Sequence, residues 1–376
     1  MLQSGTEFFP RLCADIDAAR HSIYLETYIF AADQTGRLVA AALQRAAGRG
    51  VAVRVLLDGY GSAELPQSWV DDMRTAEVEV RWFRREISPF TLRRNRHRRL
   101  RRMHRKMAVM DGEVAFVGGI NILNDIPPHS GLSAPQLDFA VRVAGPVAGE
   151  IHAAMRRLWS VVSWANLRRR GKRIKRLVSG DQSPATSADI AFLLRDNVRH
   201  RRDIERAYLD AIDAARSEII IANAYFLPGR VFRQALIQAV SRGVRVVLLL
   251  QGRVEFWIQH YATHALYDEL INAGVEIYEY QASYLHAKVA VVDGLWATVG
   301  SSNIDPFSLL LAREANLAVR HTGFAGELRE SLRKIIENDG QRVELSQQSY
   351  LTPFLSRISY GAIRFLVGVM GFSKWH

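Results

Sequence analysis

Residues 104–121 read HRKMAVMDGEVAFVGGIN, and residues 286–303 read HAKVAVVDGLWATVGSSN. Both contain H-x-K-x4-D: His104, Lys106 and Asp111 in the first stretch, and His286, Lys288 and Asp293 in the second. Gly112 and Gly294, Gly118 and Gly300, and Asn121 and Asn303 then fall in register. At this chain length a chance copy of the three fixed residues is expected in about one chain of twenty. Two copies with matching flanks therefore mark an internal duplication, and one site built from two halves.

The repetition extends outward from the motifs. The run IDAAR at 16–20 recurs at 212–216, each time leading into a strand-like run, HSIYLETYIF or SEIIIANAYF. Later GVAVRVLLDG, from Gly50, matches GVRVVLLLQG, from Gly243. Between these runs, 38–47 and 231–240 carry apolar residues at helical spacing. Continuous Val/Ile/Leu runs suit buried parallel strands, so each half reads as a layered α/β unit of strand, helix, strand, a further strand and the motif strand. The expected division is 1–165 for the first unit, 166–189 for a basic linker containing RRRGKRIKR, 190–345 for the second unit, and 346–376 for a tail. The second half opens with an apolar strand-like run, AFLLRDN, that has no evident counterpart before the first helix of the first half. The first half is accordingly expected to lack its opening strand.

Composition narrows the class of partner. At 376 residues and 48% hydrophobic, the chain is long enough and apolar enough for two buried cores. Its one cysteine, Cys13, excludes an internal disulfide and a cysteine-based zinc site. A net charge of +12 and a pI near 10.1 point to an anionic partner, a nucleic acid or an acidic membrane surface. MLQSGTEFFP lacks a cationic start followed by an apolar core, so no signal peptide is expected there. No run is apolar and uncharged over the eighteen or so residues that a spanning helix requires. Seven arginines crowd residues 93–102 (RRNRHRRLRR). Residues 350–376 are apolar and aromatic with Arg357, Arg364 and Lys374 interspersed, which suits a helix lying in a membrane interface and disfavours nucleic acid as the partner.

The motif spacing specifies a pocket. On an extended strand His104 and Lys106 point to the same face, as do His286 and Lys288. A phosphodiester repels its nucleophile, and lysines neutralise its nonbridging oxygens while Asn121 and Asn303 donate further hydrogen bonds to them. No metal or other cofactor is then required. Two histidines divide the work: one attacks phosphorus to give a phosphohistidine, and the other protonates the leaving alkoxide and then deprotonates the incoming alcohol. A nucleophilic imidazole must be neutral and held in one tautomer by an acidic partner, for which Asp138 in LDFAVRV and Glu314 in REANLAV are the candidates. Asp111 and Asp293 precede Gly112 and Gly294 at strand-to-turn junctions and are expected to be structural, pairing with charged groups in the core. His97, His152, His200, His260 and His264 lack any partner pattern and are expected to face solvent or serve structure.

The twin H-x-K-x4-D-x6-G-[GS]-x-N motifs resemble those of the phospholipase D superfamily, over nearly the whole chain. The details LETYIF, LLDGYGS, MHRK, IANAYFLPG, WATVGSSNIDPFS and EANLAV look like bacterial cardiolipin synthases of the B type, which are similar in lacking an N-terminal transmembrane pair. The resemblance implies a bilobal α/β fold with the site between the halves, and phosphatidyl transfer between two phosphatidylglycerol molecules with release of glycerol. It further implies His104 as nucleophile and His286 as acid and base, at the cytoplasmic face of the inner membrane. A phospholipase or nuclease of the same superfamily is the alternative, since the phosphoenzyme is equally open to water. A catalytically silent lipid-binding scaffold is a third reading, opposed by the intact His, Lys and Asn of both halves.

Overall fold

Two mixed β-sheets, one from each repeat, carry the chain. The computed structural model describes residues 1–85, 102–126, 132, 134–169, 189–196, 199–254, 257–344 and 361. The first half contains β1 (Leu2–Gln3), α1 (Ser4–Ala18), β2 (Ser22–Thr27), α2 (Gln34–Gly48), β3 (Ala52–Asp58), α3 (Gln67–Thr75) and β4 (Glu79–Phe83). It continues with β5 (Lys106–Met110), β6 (Val114–Gly118), β7 (Phe139–Ala144) and α4 (Pro146–Arg169). The second half contains β8 (Ile190–Arg195), α5 (Asp203–Ala214), β9 (Glu218–Asn223), α6 (Arg230–Ser241), β10 (Arg245–Gln251), α7 (Trp257–His264), α8 (Tyr267–Asn272) and β11 (Glu276–Tyr280). It closes with β12 (Lys288–Val292), β13 (Trp296–Gly300), α9 (Pro306–Leu310), β14 (Glu314–Arg320), α10 (Thr322–Asp339) and β15 (Gly340–Arg342).

The sheets have orders β1-β7-β6-β5-β2-β3-β4 and β15-β11-β10-β9-β12-β13-β14-β8. Removing β15 leaves the same order of equivalents in both. Parallel neighbours β2 and β3, like β9 and β10, need a crossover, which α2 and α6 supply. Asp33 caps α2 by accepting from the Gly36 amide at 2.8 Å. The motif strands β5 and β12 run antiparallel to β2 and β9 and fold back into β6 and β13 through Asp111-Gly112 and Asp293-Gly294. All four turn residues have positive φ, between 54° and 73°, which Gly adopts freely and Asp tolerates.

The opening strand expected to be missing from the first half is present, shortened to two residues. Leu2 and Gln3 pair antiparallel with Ala140 and Phe139 of β7, the place that β8 takes on β14 with six pairs. Two residues carry too little alternation to be read as a strand, and the tertiary contact alone forms it.

Burial follows strand alternation and yields three cores. Ile23, Leu25, Ala108 and Met110 face α1, α2 and α3, and Ile219, Ile221, Ala290 and Val292 face the equivalent outer helices of the second half. The opposite faces meet: Val117, Phe139 and Val141 share one core with Val299, Ala315 and Leu317, flanked by Ile151 and Met155 of α4 and Leu328 and Leu332 of α10. Each fully buried Val, Leu or Ile contributes ~1.5–3 kcal/mol, so this shared core joins the halves strongly. No helix among the described residues is long and apolar enough to cross a membrane. Most of the arginine stretch 93–102, the linker from residue 170 to 188 and all but Gly361 of the 346–376 tail lie outside the described residues.

Candidate active site

The site forms where each motif strand meets the other half. Immediately before each motif, the chain makes a short parallel bridge across the interface, Met103 with Arg313 and Leu137 with Leu285. The His104 amide donates to the Arg313 carbonyl at 2.9 Å, and the His286 amide donates to the Leu137 carbonyl at 2.8 Å. The next residue on each side is then a histidine facing a carboxylate. His104 Nδ1 lies 3.0 and 3.2 Å from the two carboxylate oxygens of Glu314, and His286 Nδ1 lies 2.6 Å from Asp138 Oδ2. The two candidate orienting acids are both engaged, and each serves the histidine of the opposite repeat.

The electrostatics suit neutral imidazoles. Burial raises the cost of an ionised Glu314, but His104, Lys106 and the Ser301 hydroxyl at 2.6 Å outweigh it, and its carboxyl ends below the ordinary range. An ionised carboxylate only accepts, so it selects the His104 tautomer with hydrogen on Nδ1 and a lone pair on Nε2. Burial lowers the His104 pKa, and Lys106 and Lys288 lower it further against the pull of Glu314. His286 falls to about 4, through burial and Lys288, with Asp138 opposing. Lys106 falls to about 7, because burial and Lys288 outweigh Glu314 and Asp138.

Each lysine ammonium also donates to the carbonyl of its own motif histidine, Lys106 to His104 at 2.7 Å and Lys288 to His286. Asn121 and Asn303 are buried just after β6 and β13, and Asn121 Oδ1 accepts from the Ile29 amide at 3.3 Å, which leaves its amino group to donate elsewhere. Asp111 and Asp293 do not reach this pocket. They lie at the far ends of β5 and β12, about 16 Å along the strand from the lysines. Asp111 accepts from the amides of Arg20, His21 and Ser22, and Asp293 accepts from those of Arg216, Ser217 and Glu218, all at 2.8–2.9 Å. The expected pairing with charged core groups is therefore corrected: these aspartates fasten the turn to the start of β2 or β9, satisfying the amides of the first strand residue and the two before it.

Several neighbours escaped the sequence reading. Asp58 Oδ2 accepts from the Met103 amide at 2.8 Å, and Gln251 Oε1 accepts from the Leu285 amide at 3.0 Å, so the ends of β3 and β10 fix the residues preceding the two histidines. The repeated runs LLDG and LLQG held that signal. Ser4 Oγ donates to the Gln136 carbonyl at 2.8 Å, and Arg195 donates to the carbonyls of Leu309 and Ala312, so each tethers the chain leading to Asp138 or Glu314. Tyr28 lies edge-on to His104, ring centroids 4.7 Å apart. Glu26 and Arg105 form a buried pair at 3.5 Å where the second half has Ala222 and Ala287. Of the other histidines, His152 packs on Tyr24, His200 and His264 pair with Asp203 and Glu279, and His260 lies against His264, while His97 lies outside the described residues.

Known proteins align with this arrangement. The family described as "Cardiolipin synthase, PLD-like domain" matches residues 12–125 and 208–336. Cardiolipin synthase B of Escherichia coli (strain K12) is 38% identical over 389 residues, spanning 100% of this chain and 90% of the relative. Cardiolipin synthase B of Salmonella typhi is 39% identical over 379 residues, with the same coverage. Among solved structures, phosphatidylserine synthase of Haemophilus influenzae Rd KW20 superposes with a TM-score of 0.68 at 12% identity, covering 99% of this chain and 94% of that one, a likeness of fold.

Proposed function

The chain belongs to the cardiolipin synthase family of phospholipase D-like proteins, and from that premise we propose that it transfers a phosphatidyl group between two phosphatidylglycerol molecules, giving cardiolipin and glycerol. The observation that carries the reading is the pair of crossed dyads, His104 with Glu314 and His286 with Asp138, meeting at one interface with both lysines. His104 Nε2 attacks phosphorus, a nitrogen–phosphorus bond forms, and the phosphorus–oxygen bond to the headgroup glycerol breaks. His286 gives its proton to the departing glycerol oxygen. The incoming phosphatidylglycerol hydroxyl returns a proton to His286 and attacks phosphorus, breaking the nitrogen–phosphorus bond and freeing His104. The bound phosphate anion beside His286 raises its proton affinity from the depressed ligand-free value, which makes it an effective acid. Lys106, Lys288, Asn121 and Asn303 stabilise the charge on the equatorial oxygens.

The protein works at an anionic membrane surface without spanning it, at the cytoplasmic face of the inner membrane. Its net charge of +12 supports contact with an anionic surface, as do Tyr60 and Val254, which are exposed just beyond β3 and β10 at the strand ends that hold the histidines. The test is to incubate the purified full chain with labelled phosphatidylglycerol vesicles, with and without EDTA, and resolve the lipids. Cardiolipin with equimolar glycerol, undiminished by EDTA, is the expected result. Phosphatidic acid as the main product would replace synthase by hydrolase, and activity that requires one added divalent ion would overturn the lysine-based mechanism.

A further inference from the structure

The two half-sites are not equivalent beside their histidines. In β2 and β5 Glu26 pairs with Met107, and in β9 and β12 Ala222 pairs with Val289, so the residues two places on, Tyr28 and Ala224, occupy the same post relative to their motifs. The Tyr28 ring meets the His104 imidazole edge-on, with centroids 4.7 Å apart and planes at 67°, and its centroid lies 5.3 Å from Lys106 Nζ. It fits there because residue 61 is glycine: a Cβ at Gly61 would come within 2.8 Å of the ring. Ala224, whose amide donates to the Ala287 carbonyl at 3.0 Å beside His286, offers only a methyl group. The position equivalent to Gly61 is Val254, so the second half has no bed for a ring there.

An in-line displacement at phosphorus puts the attacking and leaving groups on opposite sides. With His104 as nucleophile, both the departing glycerol and the incoming alcohol lie on the His286 side, next to Ala224. We infer that Ala224 opens the subsite that receives the polyol alcohol and is the residue that determines acceptor size, while Tyr28 fills the equivalent space and closes the His104 side to alcohols. This rests on the histidine roles proposed above. Those roles and the subsite fail in different ways.

The experiment uses the full chain with phosphatidylglycerol vesicles containing methanol, and reads the ratio of cardiolipin to phosphatidylmethanol plus phosphatidic acid in Ala224→Val, Ala224→Leu and Tyr28→Ala. Enlarging residue 224 is expected to lower that ratio in order of size, by tenfold or more for leucine, because methanol and water still fit. Tyr28→Ala is expected to leave the ratio within twofold of wild type. Val adds two carbons and keeps the series readable if the Leu variant does not fold. A uniform fall of all products in the Ala224 variants would remove the subsite, and a ratio that moves with Tyr28 instead would put the alcohol beside His104. Trapping the phosphoenzyme in the same samples separates the two readings: an adduct on His104 with an unchanged ratio overturns the subsite alone, and an adduct on His286 overturns the roles beneath it.

Discussion

His286 has an ordinary value of 6.5 and a folded-state value of about 4. Between these two values the unfolded chain holds more protons than the folded one, so stability rises with pH across that window and is lost as pH falls through it. Glu26, pushed up to about 7 mainly by burial against the pull of Arg105 and Arg313, acts in the opposite sense below neutrality. Comparison with His286→Gln cancels that contribution. Between pH 7 and 5 the wild type should lose about 2 kcal/mol more than the variant in chemical denaturation, and equal slopes would show that His286 is not desolvated. Arg105→Ala strands Glu26 in the interior and should cost roughly 3–5 kcal/mol, whereas Glu26→Ala with Arg105→Ala copies Ala222 and Ala287 and should recover most of it. A double variant no more stable than the single one, measured by urea melts, would show that the pair is held by something beyond mutual neutralisation. The histidines, lysines and asparagines were legible in the sequence because duplication repeats them at fixed spacing. Asp58, Gln251 and Ser301 were not, because their bonds to the Met103 amide, the Leu285 amide and Glu314 depend on how the strands assemble, and spacing records none of it. Glu314 and Asp138 were legible as acids that follow the motifs, but not as crossed partners, since that depends on the bridges of Met103 to Arg313 and Leu137 to Leu285.

At the scale of elements, the third fixed residue of each motif holds a turn. Asp111 has φ of 54° and binds three amides at the start of β2, and these amides pull its carboxyl below the ordinary range despite partial burial. Asp111→Ala loses those bonds and places a Cβ-bearing residue without local hydrogen bonding in the left-handed region, which together should cost about 2–3 kcal/mol. Asp111→Asn keeps the turn and part of the bonding and should cost less. Transfer rates measured well below either melting point should match wild type; a thousandfold loss in a folded Asn variant would return Asp111 to the chemistry. The strands of the repeat were legible from their Val/Ile/Leu runs, and α2 and α6 from their spacing. β1 and β15 were not, since two or three residues exist as strands only through their pairing with β7 and β11. The sequence did show that Asp111 and Asp293 sit before turns. It could not show which amides the β2 and β9 starts leave unpaired, and those amides, not charged core groups, are the partners.

The molecule as a whole is a duplicated sheet whose inner faces share one core and whose two histidine–carboxylate pairs each take one residue from either half. Duplication in the sequence announced two units and one site. The assembly of the halves was not written in any local pattern, because Val117, Val141, Val299 and Leu317 look alike whether they face an outer helix or the other half. Since neither half holds a complete dyad, activity and folding should be lost together when the shared core is broken. The most direct measurement is to find which histidine carries the phosphatidyl group. A phosphatidyl ester with a good leaving group, acid-quenched and analysed by peptide mass spectrometry, should label His104 in the wild type. The label should persist in His286→Ala, vanish in His104→Ala and form more slowly in Glu314→Gln, where the other half no longer fixes the tautomer. A label on His286 in the wild type, or a rate in Glu314→Gln equal to wild type, would contradict this account of the site.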